Sequence, residues 1–160
     1  MRGTKMNTLI VYYSRSKLTK ALSEKLAEKL GAELLEITDG KNRSGFFGYI
    51  LAAVDGLKKT LPGLQPFTTR LALSDYDRII IAAPIWCENI CPAARAFLSR
   101  YGSDISGKVY VIATHMSDIT YQDKIDALEG LLKRKIESSL SVKTKKNDYI
   151  SEAVEFADRL

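Results

Sequence analysis

Short, almost uninterrupted apolar runs alternate along this chain with longer stretches in which apolar residues recur every three or four positions. The clearest runs are TLIVYY (8–13), DRIIIAAPIW (77–86) and KVYVIAT (108–114). Runs of this kind predict strands covered on both faces. ELLEI (33–37) and SLSVKT (139–144) read as weaker strands. Between the runs the period changes. Leu18, Leu22, Leu26 and Leu30 repeat every four residues and meet Gly31, which predicts a helix and its stop. Phe97 and Leu98 fall in a short helix after Pro92. Ile125, Leu128, Leu132 and Ile136 mark another helix, and Ile150, Val154, Ala157 and Leu160 the last. The stretch GFFGYILAAVDGLKK (45–59) also predicts a helix, with Phe47, Ile50, Leu51, Val54 and Leu57 apolar and Phe46, Tyr49 and Ala53 widening that face. Its simplest role is to cover the core. A face so broad also suits burial against a second subunit or a position over a ligand.

Strand and helix alternate through the whole chain, which predicts the α/β class: a three-layer, doubly wound, five-stranded parallel sheet with helices on both faces. The 160 residues suffice for one such domain spanning 1–160, with 1–6 as a flexible N-terminus. In such sheets ligands bind beyond the carboxyl ends of the strands, near the switch in strand order. That rule points to three loops: 14–19, 84–92 and 114–121.

The first loop carries distinctive chemistry. TLIVYYSRSKLTKAL (8–22) places the hydroxyls of Ser14, Ser16 and Thr19 and the cations Arg15, Lys17 and Lys20 where a strand gives way to a helix. Unpaired N–H groups at a helix start carry partial positive charge and receive anions. Ser16 alone would serve as a helix cap. A cap does not require Ser14 or Thr19, so the cluster points to an anion, a phosphate above all. No GxxxxGK[ST] and no GxGxxG is present, so neither nucleotide-loop signature applies.

LIVYYSRSKLTKALSEKLAEKL resembles the strand, hydroxyl-rich loop and helix of the flavodoxins. PIWCENICPAARAFLSRY (84–101) resembles their second flavin loop, and VYVIATHMSD (109–118) is similar to the strand and loop on the flavin's other side. The resemblance covers essentially the whole chain and implies a flavodoxin-like sheet of order 2-1-3-4-5. It further implies that FMN places its phosphate on Ser14, Arg15, Ser16, Lys17, Leu18 and Thr19. Its ring would lie between Pro84, Ile85, Trp86, Cys87, Glu88 and Asn89 on one side and Thr114, His115, Met116, Ser117 and Asp118 on the other, with Trp86 as the aromatic wall. The chain departs from the family where Lys17 and Leu18 replace the usual Gly and Asn, where Glu88 replaces a small residue, and where His115, Met116 and Ser117 replace glycines. A carboxylate beside a reduced, anionic flavin disfavours that state.

His115, the single histidine, follows the fourth strand on the ligand side and is a candidate proton donor or a satisfied polar residue. Cys87 and Cys91 are spaced C-x-x-x-C, not as a redox C-x-x-C. Cys91, before Pro92 at a helix start, is where a dipole lowers a thiol pKa; two ordinary thiols are the simpler expectation. No metal-ligand spacing is present.

The net charge is +5, with six cations between 133 and 146 against one acid, Glu137. A solvated face or an anionic partner accounts for it. No nucleic-acid motif accompanies it. No run reaches the roughly 20 apolar residues of a membrane span, and MRGTKMNT lacks the apolar core of a signal peptide, so the expected location is the cytoplasm. Two functions compete. One is an FMN redox protein, either an electron carrier with a protein partner or an NAD(P)H-linked flavin or quinone reductase, often a homodimer or larger. The other is a binding or regulatory module that has lost tight FMN binding. Carriers of this family are typically acidic, and this chain is basic.

Overall fold

The structure, a computed structural model, describes residues 4–58 and 61–160. The parallel strands are β1 (Thr8–Tyr12), β2 (Glu33–Glu36), β3 (Arg78–Trp86), β5 (Lys108–His115) and β6 (Ser138–Lys143). They lie in the order β2-β1-β3-β5-β6. The sequence-based order of five strands is thus kept, with one addition. A two-residue strand, β4 (Asn89–Ile90), folds back antiparallel on the end of β3, pairing Trp86 with Asn89 and Ile85 with Ile90. It is too short to leave a hydrophobic period.

The helices are α1 (Leu18–Leu30), α2 (Gly45–Lys58), α3 (Pro92–Tyr101), α4 (Gln122–Asp126), α5 (Leu128–Leu132) and α6 (Tyr149–Ala157). Alternate residues of the central strands feed two cores. Ile10, Tyr12, Ile80 and Ile112 pack with Leu22, Leu26 and Phe156 under α1 and α6. Leu9, Val11, Ile81 and Val111 pack with Ala52, Phe97, Ile125 and Leu132 under α2, α3, α4 and α5. This is the three-layer arrangement expected of strands apolar on both faces. The helix expected from Ile125 to Ile136 is two short ones. It ends at Lys133, whose left-handed φ of 58° stops α5. Of the N-terminal stretch 1–6, residues 1–3 lie outside the described residues, and 4–6 are exposed and irregular. Residue 59 of the expected 45–59 helix also lies outside them. Among the described residues, no helix is long and apolar enough to cross a membrane.

Glycines fix how α2 sits. A Cβ on Gly48 would stand 1.9 Å from the carbonyl carbon of Arg43, and one on Gly56 would stand 2.4 Å from the carbonyl oxygen of Trp86. Only glycine allows the helix so close to the loop before it and to the end of β3. The same face holds Ala52 and Asp55, so α2 buries small or polar residues and turns its large ones outward.

Candidate functional site

A cleft of about 360 Å³ opens beyond the carboxyl ends of β1, β3 and β5. It falls within the size range of small-molecule sites, about 300–1,000 Å³. Arg15, Ser16, Leu18 and Thr19 line it from the first loop, Pro84 to Glu88 from the second, and Thr114 to Ser117 from the third. All three loops selected by the strand-end rule meet there. Ser14, Lys17, Asn89 and Asp118 do not line it. Ser14 borders a smaller cavity of about 180 Å³ with Tyr13, Lys41 and Arg43, and Arg15 borders both cavities. The Asn89 amide donates to the carbonyls of Gly56, at 3.1 Å, and of Cys87, at 3.2 Å. Asp118 is exposed and bonded to Lys143, which holds its carboxyl below the usual range. Tyr49, Ala52 and Ala53 of α2, Tyr121 and Thr144 complete the lining. Thr144 follows β6, and extending the strand-end rule to that strand would have found it.

The start of α1 is open. Its N-cap is Lys17, at φ 67°, with no side-chain cap and no acid in the first turn. Ser16 does not cap the helix. Ser14 Oγ is shielded from solvent and has no hydrogen-bond partner among the described residues. A buried hydroxyl without a partner costs about 1–3 kcal/mol, which an arriving acceptor removes. Thr19 and Thr114 join their hydroxyls at 2.8 Å across the cleft wall. Whichever donates, one O–H proton stays free for a ligand oxygen. Lys17 takes the left-handed backbone that glycine adopts without strain.

The second loop is the two-residue connection Cys87–Glu88 between β3 and β4. Both residues have positive φ, 44° and 64°, the geometry of a type I′ hairpin that favours Asn-Gly. The strain of about 1–3 kcal/mol per residue sits on the cleft rim. Trp86 is buried, with Tyr13 edge-on at 5.2 Å and the Arg43 guanidinium 5.1 Å from its ring centroid. One indole face is therefore already occupied. An exposed ring is offered instead by Tyr49, over which Arg15 lies at 5.6 Å.

Arg43 was not visible as a site residue. It is buried and donates to both Asp39 oxygens at 2.7 Å and to Asp55 at 2.6 Å. These acids raise its already high pKa despite burial. The cluster ties the 38–44 loop to α2 and backs Trp86. Only fold-level pairing reveals it, because Asp39 and Arg43 lie in a polar loop while Asp55 stands twelve positions further on, at the end of an apolar helical stretch.

His115 is held at both nitrogens. Nδ1 lies 3.1 Å from the Ser117 carbonyl, which only accepts, so Nδ1 carries the proton. Nε2 then accepts from Ser141 Oγ at 2.8 Å. Burial lowers the ring's pKa and the Lys143 charge adds to this, against the Ser117 bond. The two hydrogen bonds fix the ring in the cleft wall, and its burial favours the neutral form. Cys91 is buried, and desolvation pushes its thiol up to about 12 despite backbone hydrogen bonds from Ala94 and Ala93. Burial outweighs the dipole at the helix start, which agrees with the simpler expectation of an ordinary thiol rather than a lowered one. Cys87 is exposed.

No family model and no curated protein sequence matches the chain. Solved structures do. A flavoprotein of Lactobacillus acidophilus NCFM in complex with FMN superposes with a TM-score of 0.73 at 20% identity, covering 95% of this chain and 99% of its own. The fold is flavodoxin-like. The apo form of a Lactobacillus acidophilus flavoprotein matches this flavodoxin-like chain at TM-score 0.65 and 23% identity, over 86% of this chain and 93% of its own. An apo NADH:FMN oxidoreductase matches at 0.53 and 14%, over 96% and 87%. At such identities the likeness establishes the fold.

Proposed function

We propose that the cleft binds FMN and that the protein moves electrons through it, with NAD(P)H as the favoured donor. The carrying observation is the open approach to α1, where among the described residues the buried Ser14 hydroxyl has no hydrogen-bond partner and the helix start has no side-chain cap. That donor set fits a phosphate, and it stands beside a cleft of ring-binding size. Ser14, Ser16 and the free Thr19–Thr114 proton would hold the phosphate, with Arg15 supplying charge. Pro84 to Glu88, Tyr49 and Thr114 to Ser117 would border the ring. Bound FMN supplies one- and two-electron transfer, which no side chain here supplies. The protein's share is to orient the ring, to exclude water with Trp86, Met116 and Tyr49, and to set the local charge through Glu88 and the neutral His115. FMN-bound and NADH:FMN-linked proteins among the structural neighbours support this reading. The basic charge favours the reductase over an ordinary carrier.

The test is a titration of flavin into apo-protein, followed by fluorescence. FMN is expected to be quenched strongly and riboflavin weakly. Ser16→Asp, which sets a carboxylate against the phosphate, is expected to weaken FMN at least about tenfold, a loss of about 1.4 kcal/mol. Equal affinity for FMN and riboflavin, or no effect of the variant, would remove the phosphate site.

A further inference from the structure

The helix α2 is inside out for a monomer. Its buried face is Gly48, Ala52, Asp55 and Gly56. Its outward face carries Phe46 (73% exposed), Phe47 (84%), Tyr49 (61%), Ile50, Val54 and Leu57 (68%). Rotation that would bury these side chains is blocked. Gly48 and Gly56 admit no Cβ where they touch the body, and Asp55 is anchored to Arg43 at 2.6 Å. Phe46 and Phe47 already pack edge to face, with centroids 5.9 Å apart.

We propose that this face meets its own copy, so that the protein is a dimer with α2 against α2 across a two-fold axis. Three observations select that occupant. The first is area. Scaled from about 150–250 Å² per aromatic side chain, the six exposed residues offer on the order of 700 Å² per protomer, near the roughly 800 Å² per partner of a standard stable interface. That exceeds the largest apolar patch of a typical monomer, about 300–600 Å². The second is charge. The chain carries +5, yet the face from Phe46 to Leu57 exposes no charged side chain, because Asp55 points inward. Two like-charged copies approach closely only on an uncharged surface. The third is composition. Homodimer contacts are more apolar than those between different proteins, and this face is apolar but for the Tyr49 hydroxyl. A membrane surface is a poorer match. Helices that lie in it carry Lys and Arg along their own polar face, whereas here that face is small residues and an aspartate turned into the protein.

Tyr49 belongs both to this face and to the cleft lining. The second copy therefore stands at the cleft rim.

The experiment is sedimentation equilibrium of the full-length protein without added flavin, at roughly 1–100 μM, a range centred on the micromolar affinities that standard-size interfaces reach. The wild type is expected at twice the chain mass. Phe47→Glu, which sets two carboxylates face to face, is expected to raise the dimer dissociation constant at least about 30-fold, the scale of an interface hot spot. Leu57→Glu is expected to act in the same direction. Phe47 does not line the cleft, so both variants should keep the wild-type circular dichroism and FMN quenching, which separates loss of the dimer from loss of the fold or flavin site. A monomeric wild type would overturn the proposal, as would a dimer indifferent to both variants. So would a monomer that cosediments with anionic phospholipid vesicles and loses this with Phe47→Glu, which would give the face to a membrane.

Discussion

His115 shows how little a residue's chemistry can be judged from its place in a strand. Its position after the fourth strand marked it for the cleft, and it is there, yet both nitrogens are engaged with Ser117 and Ser141. Those partners lie in a loop and a neighbouring strand, which one-dimensional spacing does not bring together. Cys91 teaches the same lesson with opposite sign, since burial overrides the helix start that singled it out. The His115 environment has a measurable consequence. Folding lowers its pKa, so below the ordinary histidine value of about 6.5 the unfolded chain holds a proton that the folded chain resists. Above that value both states are neutral and the residue adds no pH dependence. As pH falls through 6.5 towards the lower native value, stability drops, because the unfolded state binds more protons. Urea midpoints measured from about pH 7.5 to 5 should decline, and His115→Gln should lose part of that decline. An identical slope in the variant would contradict the assigned neutral ring.

At the level of elements, the strands were legible because their apolar runs are long and the sheet is buried on both faces. The backbone of the first loop was legible in the expectation that Lys17 stands where glycine is easier, which the left-handed φ of 67° matches. What escaped was polar and long-range. β4 has two residues and no period. The Arg43 cluster joins Asp39 and Asp55 through contacts that no hydrophobic pattern encodes. Its weight follows from burial: the Arg43 and Asp39 side chains are each 2% exposed and Asp55 is 9%. Removing the Arg43 cation leaves two buried carboxylates to Lys41 alone, whose half-exposed ammonium lies 3.5 Å from Asp55 and whose backbone N–H donates to Asp39. Arg43→Met is therefore expected to cost about 3–5 kcal/mol, a large share of the roughly 5–15 kcal/mol that a domain possesses. Chemical denaturation measures it. Adding Asp39→Asn and Asp55→Asn to the same variant should recover a substantial part, since no unpaired charge then remains. A loss below about 1 kcal/mol in the single variant would mean that the cluster behaves as an ordinary surface pair.

Over the whole molecule, the positive charge that clusters in sequence between 133 and 146 does not form a single patch. Lys133, Arg134 and Lys135 precede β6, and Lys143, Lys145 and Lys146 follow its start by a strand length, so the two groups stand roughly 20 Å apart at about 3.3 Å per residue. Arg134 is spent on the carbonyls of Ile105 and Gly107, each at 2.7 Å. Lys143 is paired with Asp118, and Lys146 reaches Glu152 at 3.3 Å. Only the second group lies at the cleft end of the sheet, beside Thr144. A focused field raises encounter rates by about 10–10³; a dispersed and partly neutralised one does far less. NADPH added anaerobically to the FMN-loaded protein is therefore expected to bleach the flavin without any protein partner. The second-order rate should fall with salt because the donor is anionic, but by less than about tenfold as the screening length shrinks from roughly 10 Å at 0.1 M to 3 Å at 1 M. Stopped-flow absorbance reads both. Silence towards NADPH and NADH alike would turn the redox reading towards a carrier with an acidic protein partner. A rate falling by a hundredfold would show that the dinucleotide meets a concentrated basic surface, which the pairing of Lys143 and Lys146 with carboxylates argues against.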